Sequence, residues 1–144
     1  MIKSSRLWIH PSIIWTIIKN TPTLDPLVIL LNSKLYYIEN KENHKIVSFA
    51  TVKKWSDCIE IGTVYTHPKH RGKRLEGKII SKIKKDYGTI WLLCKKELIK
   101  YYKKQSFKVI NKAENSIGKR QRLFNDTLGK ILKYQLVVMM NKKV

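Results

Sequence analysis

Hydrophobic and polar positions along the chain form short β-type stretches separated by segments with helical spacing. Strands are predicted where β-branched and aromatic residues cluster, near residues 1–9, 35–38, 46–52, 59–66, 90–94, 107–110 and 134–140. Helices are predicted after Pro11, after Gly72, ahead of Phe107 and between residues 113 and 133. The segment 27–32 fits either a short helix or a buried strand, because periodicity cannot decide over so few residues. This mixture predicts an α/β (α+β) fold.

One stretch, residues 59–86, combines a strand, a basic loop and a helix. The strand is expected to end near Pro68, because proline has no N–H to donate to a sheet. The helix after Gly72 has an apolar side, formed by Leu75, Ile79, Ile80 and Ile83, and a basic side, formed by Lys73, Lys78, Lys82 and Lys85. Such a loop directs backbone N–H groups and the positive end of a helix dipole at one place, which suits a phosphate.

This loop has three interpretations, and two of them need no family resemblance. An ordinary strand-to-helix connection with solvated lysines would give the same charge run. A P-loop would need the pattern G-x-x-x-x-G-K-[ST], and Gly72, Gly77 and Lys78 supply its first part. Ile79, however, stands where a serine or threonine must hold Mg²⁺, so the P-loop pattern is incomplete.

The third interpretation is a resemblance to a known family. Residues 66–80, THPKHRGKRLEGKII, resemble the acyl-CoA signature of the GNAT superfamily of N-acetyltransferases. In that signature a strand ends in V-x-P and is followed by R-G-x-G-x-G/A and an amphipathic helix. Thr66 takes the valine position, Pro68 the proline, and Arg71 and Gly72 the first two positions of the glycine-rich part.

The resemblance extends over about residues 35–107 and includes three departures from the family pattern. Arg74 and Glu76 stand where the family has small residues close to the CoA pyrophosphate. After the next strand and a short helix, the family has a Tyr-x-x-x-Gly-Phe turn. Tyr102 and Phe107 have that spacing, with Ser106 in place of the glycine. The order of elements and the spacing of motifs both agree with the family.

The resemblance implies one domain over residues 1–144, with a GNAT-like mixed, mostly antiparallel central sheet and helices on both faces. It implies a V-shaped cleft between two central parallel strands, 59–66 and 90–94. Residues 113–133 exceed the simple hairpin that the family has there, and their apolar residues indicate an inserted helix: Leu123, Phe124, Leu128, Ile131 and Leu132. The basic run at 118–122 is either a solvated face or a contact surface for an anionic acceptor.

The resemblance also implies catalytic residues. Glu60, on the signature strand, is the candidate general base, with His67 in reserve. Tyr102 is the candidate acid that protonates the CoA thiolate, and Tyr101 is the neighbour with which it is most easily confused. An edge glutamate that faces water or pairs with a lysine, and a plain core tyrosine, are the structural alternatives for these two positions.

The cofactor implied by the resemblance is acetyl-CoA, as a co-substrate, with no metal ion. A backbone N–H near Val64 would hold the thioester carbonyl, and backbone N–H groups between Arg71 and Lys78 would hold the pyrophosphate. As a direct phosphate ligand, Arg74 would partly offset the unfavourable negative charge of Glu76. Gly77, one position after the small residue of the family pattern, would supply the backbone flexibility. The candidate cofactor-binding residues are Val64, Thr66, Arg71, Gly72, Lys73, Arg74, Gly77 and Lys78.

The net charge indicates which kinds of partner the protein binds, and the cysteine content indicates the cellular compartment. Thirty basic against ten acidic residues give a net charge of +20, which favours anionic partners such as CoA, nucleic acid or an acidic protein, unless it reflects a lysine-rich composition. The two cysteines, Cys58 and Cys94, form no metal-binding motif and are typical of reduced core thiols. No signal peptide or membrane-spanning apolar run is evident, so a soluble, cytoplasmic protein is expected.

Together these features predict an N-acetyltransferase that moves an acetyl group from acetyl-CoA to a primary amine. The acceptor, which the charge suggests is anionic, is a small molecule, a protein amine or an aminoacyl-tRNA. The protein is expected to be a monomer or a homodimer. The alternative is a catalytically degenerate GNAT-fold module that uses its basic surface to bind nucleic acid, which the departures at Arg74 and Glu76 motivate.

Overall fold

The computed structural model describes residues 1–20 and 33–142, so the segment 27–32 lies outside the described residues. The described strands are β1 (Lys3–Arg6), β2 (Lys34–Glu39), β3 (Ile46–Lys54), β4 (Ile59–Thr66), β5 (Ile90–Lys95), β6 (Lys108–Val109) and β7 (Leu136–Asn141). The described α-helices are α1 (Pro11–Asn20), α2 (Leu75–Tyr87), α3 (Ile99–Lys103), α4 (Ser116–Asp126) and α5 (Leu128–Ile131). Single 3₁₀ turns occupy Leu7–Ile9, Pro68–His70 and Lys96–Leu98.

Within the described residues, the strands form one sheet in the order β1-β2-β3-β4-β5-β7-β6. β2 pairs antiparallel with β1 and β3, and β7 pairs antiparallel with β5 and β6. β4 and β5, which α2 connects, form the parallel pair. The predicted mixed, mostly antiparallel sheet with surrounding helices is confirmed.

The chain divides into two compact units, and the first comprises Met1–Lys53 and Ile61–Asp86. Its core consists of apolar residues from the first turn, α1, β2 and β3: Leu7, Ile13, Ile17, Leu35, Tyr37 and Phe49. As the helical spacing predicted, α2 buries Ile79, Ile80 and Ile83 and exposes Lys78, Lys82 and Lys85. The Tyr36 hydroxyl donates to Asp86 at 2.8 Å, which ties β2 to the end of α2.

The second unit comprises Lys54–Glu60 and Tyr87–Val144, and its core includes Ala113, Ile117 and Val138. α4 lies close to the segment before it, because a Cβ built on Gly118 would stand 1.9 Å from the Ala113 carbonyl oxygen. The Asn125 side chain donates to the Leu136 carbonyl at 3.1 Å and accepts from its N–H at 2.8 Å. These two bonds fix α4 against the start of β7. The single domain over residues 1–144 stays a prediction.

Several boundaries differ from those that the sequence predicted. β1 is limited to Lys3–Arg6, because Leu7–Ile9 form a 3₁₀ turn that His10 N–H closes on the Leu7 carbonyl. β6 has two residues rather than four. The insertion forms two helices, α4 and α5, and their buried positions are Ile117, Gly118 and Gly129. The leucines and isoleucine that indicated a helix are exposed: Leu123, Leu128, Ile131 and Leu132.

Candidate active site

The loop after β4 is held to the sheet by its own backbone. His67 N–H donates to the Val47 carbonyl of β3 at 2.8 Å. Pro68 opens a 3₁₀ turn, and the His67 ring nitrogen Nδ1 accepts from Lys69 N–H at 3.3 Å. Arg71 N–H then bonds the Pro68 carbonyl at 3.3 Å. The chain therefore leaves the strand in a compact turn instead of a wide loop.

The backbone then adopts two left-handed residues before the helix begins. Gly72 has φ 79° and Arg74 has φ 56°. Lys78 N–H donates to the Arg74 carbonyl at 3.2 Å, which is the first bond of the α2 ladder. The N–H groups of the residues just before it, 75–77, precede that bond and so have no intrahelical acceptor. These N–H groups and the helix dipole make the turn an anion-binding geometry.

Cationic side chains surround this turn. Lys73, Arg74 and Lys78 are exposed, so their charges are available to a bound anion. Arg71 is also exposed, but its Nε donates to the Thr66 carbonyl at 3.2 Å, which fastens the turn to the end of β4. Arg71 therefore combines a structural bond with a charge beside the turn.

Glu76 is directed back to the strand by the Thr66 hydroxyl. Thr66 Oγ1 donates to Glu76 Oε2 at 3.0 Å, and Ser48 Oγ lies 2.9 Å from the same hydroxyl. Thr66 is buried and Glu76 half-buried. The carboxylate is thus held at the end of β4, inside the first turn of α2. A carboxylate at this position interacts favourably with the helix dipole.

Glu60 is buried within the second unit, with 2% of its surface exposed. Its Oε2 accepts two hydrogen bonds of 2.7 Å, one from the Trp55 indole N–H and one from Arg120 Nη1. The Arg120 guanidinium carbon also lies 5.1 Å from the centroid of the Trp55 ring. Glu60 therefore has an arginine partner from the inserted helix α4.

Tyr102 lies on α3 and is 8% exposed. Its ring packs edge-on against Phe107 at 5.8 Å between centroids and against Tyr101 at 5.0 Å. Its carbonyl accepts from both Gln105 N–H and Phe107 N–H, which closes the turn. Ser106 has φ 65° in that turn.

Comparison with known proteins agrees with this geometry. A family model for the acetyltransferase (GNAT) family matches residues 7–107. The chain belongs to this family. The matched region includes the loop after β4, which agrees with the third interpretation, the resemblance to this family. A search of curated proteins found no match.

Solved structures share the fold at low sequence identity. N-acetylglutamate synthase from Neisseria gonorrhoeae, complexed with coenzyme A and N-acetyl-glutamate, aligns with a TM-score of 0.73 and 11% identity, over 100% of this chain but 35% of that one. Rv2747 from Mycobacterium tuberculosis, in complex with CoA, aligns with a TM-score of 0.71 and 15% identity over 100% and 99% of the two chains. A GNAT family acetyltransferase from Elizabethkingia anophelis with acetyl-CoA bound aligns with a TM-score of 0.69 and 13% identity, over 98% of this chain and 97% of that one. The chain therefore spans about a third of the first protein and nearly all of the other two.

Within this GNAT fold, the predicted site residues fall into two groups. Residues of the first unit form the turn and its surroundings: Val64, Thr66, Arg71, Gly72, Lys73, Arg74, Gly77 and Lys78. Val64 is half-buried on β4, and Gly77 is half-buried in the first turn of α2. Glu60 and Tyr102 belong to the second unit. The sequence analysis missed two partners of Glu60, Trp55 and Arg120. Sequence spacing gave no signal for Arg120, which lies 60 residues after Glu60.

Two GNAT glycine positions keep a glycine-like backbone although the residue has changed. Arg74 and Ser106 both have positive φ, at 56° and 65°. An L-residue with a side chain adopts this conformation at a cost of about 1 kcal/mol. The turns of the family pattern are thus retained by this chain without their glycines.

No group of three or more histidine, cysteine or acidic side chains that could hold a metal ion occurs in the described parts of the chain. The helices of residues 1–20 and 33–142 include none that is long and apolar enough to cross a membrane.

Proposed function

We propose that this GNAT chain is an acyl-CoA-dependent N-acetyltransferase that carries an acetyl group from acetyl-CoA to a primary amine. The observation that carries the proposal is the turn between β4 and α2, where left-handed Gly72 and Arg74 precede a helix N-terminus. Relatives with the same fold are complexed with CoA or acetyl-CoA, which supports the same ligand here.

The pyrophosphate of acetyl-CoA would bind the N–H groups of the turn and of the first turn of α2. Lys73, Arg74 and Lys78 would add charge-assisted contacts, since all three side chains are exposed. A Cβ on Gly72 would meet nothing within 4 Å, so the space beside this turn is open to a ligand. The N–H near Val64 would hold the thioester carbonyl.

The proposed reaction requires two proton transfers. The amine nitrogen attacks the thioester carbonyl carbon, a C–N bond forms, and the C–S bond breaks. The proton lost by the amine goes to Glu60, directly or through water, and the CoA thiolate takes its proton from the Tyr102 hydroxyl. The Trp55 indole N–H and Arg120 both donate to Glu60 Oε2, so this carboxylate is held in place within the second unit. His67, which is exposed, is the alternative base.

The acceptor is proposed to carry negative charge. The net charge of +20 would attract an amine on an acidic peptide, an anionic metabolite or an aminoacyl-tRNA. The nucleic-acid-binding alternative rests on the same charge and on the departures from the family pattern at Arg74 and Glu76. Salt-sensitive DNA or RNA binding combined with no affinity for acetyl-CoA would favour that alternative.

Calorimetric titration with acetyl-CoA tests the proposal directly. We expect binding in the micromolar range and at least tenfold weaker binding by Gly72→Ala, because alanine resists φ 79° and reorients the N–H groups of the turn. Gly88→Ala is the matched control, since Gly88 has φ 77° but lies after α2. Both variants should lose similar stability, and only the first should lose affinity. No heat and no thermal shift at millimolar acetyl-CoA would contradict the proposal.

Thiol release from acetyl-CoA in the presence of a panel of primary amines tests the proton transfers. Tyr102→Phe is expected to lower kcat by about 10- to 100-fold, because general acid catalysis contributes at least this much. Tyr101→Phe is the matched control, with the same chemical change at the neighbouring ring. Equal loss in both variants would mean that neither tyrosine supplies the proton.

A further inference from the structure

A cavity of about 400 Å³ lies within the second unit, and its lining contains none of the residues assigned to acetyl transfer. Three lysines from three different segments border it. Lys96 belongs to the 3₁₀ turn after β5, Lys130 to α5, and Lys133 to the connection between α5 and β7. Small-molecule sites in proteins have volumes of roughly 300–1,000 Å³, so the cavity is large enough for a ligand.

The lining of this cavity carries an excess of positive charge. Lys96, Lys130 and Lys133 are exposed, and Glu97 is the one acidic residue among those that line the cavity. None of these three lysines forms an ion pair within the described parts of the chain. Their ammonium groups are therefore available to an anion in the cavity.

Packing among aromatic rings and backbone fixes one side of the cavity. The Tyr134 ring lies 5.5 Å from the Phe124 ring, between centroids, and Lys95 Nζ lies 4.3 Å from the Tyr134 centroid. Gly129 is buried in the lining. A Cβ built on it would stand 2.8 Å from the Tyr134 carbonyl oxygen and 3.1 Å from the Phe124 carbonyl oxygen. The helix α5 therefore packs closely against the segments on both sides of it.

The turn at the end of α5 places Lys133 at the cavity. Leu132 N–H donates to the Leu128 carbonyl at 2.8 Å, and Tyr134 N–H donates to the Gly129 carbonyl at 3.1 Å. Between these two bonds Lys133 has φ 55°, at a position of the helix end where glycine is usual. This conformation is unfavourable for a residue with a side chain. The chain nevertheless has a lysine here, which adds a positive charge to the lining.

Another part of the lining, Asn125 on α4, is held in place by the start of β7. Its side chain donates to the Leu136 carbonyl and accepts from the Leu136 N–H. The Gln121 side chain donates to the same carbonyl at 3.0 Å. The cavity is thus bordered by ordered segments that bring the lysines together before any ligand binds. Such preorganisation lowers the cost of binding.

We propose that this cavity binds the phosphate group of a small molecule. A lysine ammonium is a compact point charge with three donors, and phosphate offers acceptor oxygens in several directions. No arginine lines the cavity, so the lining lacks the planar fork that matches a carboxylate. Two sources share this chemistry. The phosphate belongs either to the amine acceptor, in which case the inference rests on the proposed function, or to a separate ligand that takes no part in the transfer.

Two glycine amide signals allow the cavity and the acetyl-CoA turn to be observed separately. The chain has one Leu-Gly pair, Leu128–Gly129, and one Arg-Gly pair, Arg71–Gly72. Labelling with ¹⁵N-glycine and either ¹³C-leucine or ¹³C-arginine therefore identifies each signal. Titration with inorganic pyrophosphate should shift the Gly129 signal and reach saturation at millimolar concentration. The response of Gly72 to acetyl-CoA tests the proposed function independently.

A variant with all three lysines of the lining replaced, Lys96→Gln, Lys130→Gln and Lys133→Gln, should raise the Kd for pyrophosphate at Gly129 by about tenfold or more. The matched control removes the same number of charges from exposed lysines elsewhere in the second unit: Lys108→Gln, Lys119→Gln and Lys142→Gln. Its Kd should stay within about twofold of the wild-type value, because distant exposed charges are screened by salt. Urea denaturation checks that both variants fold.

Two results would overturn the proposal. One is a wild-type Gly129 signal that does not respond to millimolar pyrophosphate, which needs no variant. The other is equal weakening in the two triple variants, which would assign the binding to the net charge of the protein. A Gly129 response to pyrophosphate, together with a Gly72 signal that ignores acetyl-CoA, would refute the proposed function and leave the phosphate site standing.

Transfer assays distinguish the two sources of the phosphate, with pairs of primary amines that differ by one phosphate group. If the acceptor carries the phosphate, the triple variant of the lining should raise KM for the phosphorylated amine about tenfold and leave KM for the neutral amine unchanged. If a separate ligand carries it, both KM values should stay unchanged in that variant. The wild-type Gly129 signal should then still respond to pyrophosphate in the presence of saturating amine.

Discussion

The Thr66 hydroxyl and the Glu76 carboxylate are hydrogen-bonded at 3.0 Å, which joins the last residue of β4 to the second residue of α2. This bond explains how a glutamate is accommodated in a position where GNAT proteins have a small residue. The carboxylate is directed to the strand end and stabilises the helix N-terminus. Its charge nevertheless opposes a second anion at the same helix end.

Removing that charge should therefore strengthen ligand binding. Glu76→Gln keeps a side-chain oxygen for Thr66 and removes the repulsion, which at a partly exposed site is worth about 1 kcal/mol. We expect acetyl-CoA to bind about fivefold more tightly, by calorimetry, with a smaller gain at high salt. Glu97→Gln, an exposed change in the second unit, should leave the affinity unchanged. Weaker binding by Glu76→Gln would mean that the carboxylate organises the turn more than it repels the ligand.

Ser106→Gly should stabilise the protein, because Ser106 has φ 65° and glycine adopts this conformation freely. The expected gain in unfolding free energy is about 0.5–1 kcal/mol, measured by urea denaturation. Ser106→Ala is the control, since alanine removes the hydroxyl and keeps the backbone strain. If both variants gain stability equally, the hydroxyl and not the backbone conformation is responsible.

Gly118→Ala should destabilise the protein strongly. The added methyl group would stand 1.9 Å from the Ala113 carbonyl oxygen, so α4 must move away from that segment. Overpacking of this kind costs about 1–3 kcal/mol or more. Lys119→Ala, at the adjacent exposed position, should change unfolding free energy little. A Gly118→Ala protein of unchanged stability would show that α4 is free to shift away from Ala113.

The bond between Tyr36 and Asp86 should make stability depend on pH. Hydrogen bonds from Lys82 and then Tyr36 lower the pKa of Asp86 below 3.8. The stabilisation is therefore complete above about pH 4 and is lost as pH falls through the folded-state pKa. Tyr36→Phe should cost more unfolding free energy at pH 7 than at an acidic pH below the folded-state pKa of Asp86, by urea denaturation at both values. In an Asp86→Asn background the Tyr36→Phe cost should not vary with pH, and a variation there would assign the effect to another group.

Local patterns were sufficient to predict most of the fold. The order of strands and helices follows from apolar spacing, and the turn after β4 follows from Pro68 and Gly72, which limit the backbone locally. Alternation along β4 could not decide the environment of Glu60, because Glu60 and Ile61 are both buried although their side chains point to opposite faces. A strand covered on both sides carries no alternation signal.

Contacts between distant positions could not be predicted from one sequence. Arg120 was part of a basic run whose plain interpretation was a solvated face, and only the packing of α4 brings it to Glu60. In the insertion, the hydrophobic pattern predicted a helix but not which of its positions are buried. Its helices pack through small positions, Gly118 and Gly129, while Leu123 and Ile131 face solvent. Close approach of a helix backbone requires glycine, which hydropathy does not register.

The pair of bonds between Asn125 and Leu136 has a consequence for how copies of this protein meet one another. β6 pairs with Met139 and Met140, and the next residue, Ile110, donates to the Val138 carbonyl, so in the described part of the chain these contacts stop short of Leu136. There the Asn125 amide imitates a neighbouring strand, and the Gln121 amide adds a bond to the Leu136 carbonyl at 3.0 Å. An amide side chain from the same molecule thus occupies the place where a strand of another copy would pair, which disfavours edge-to-edge association there.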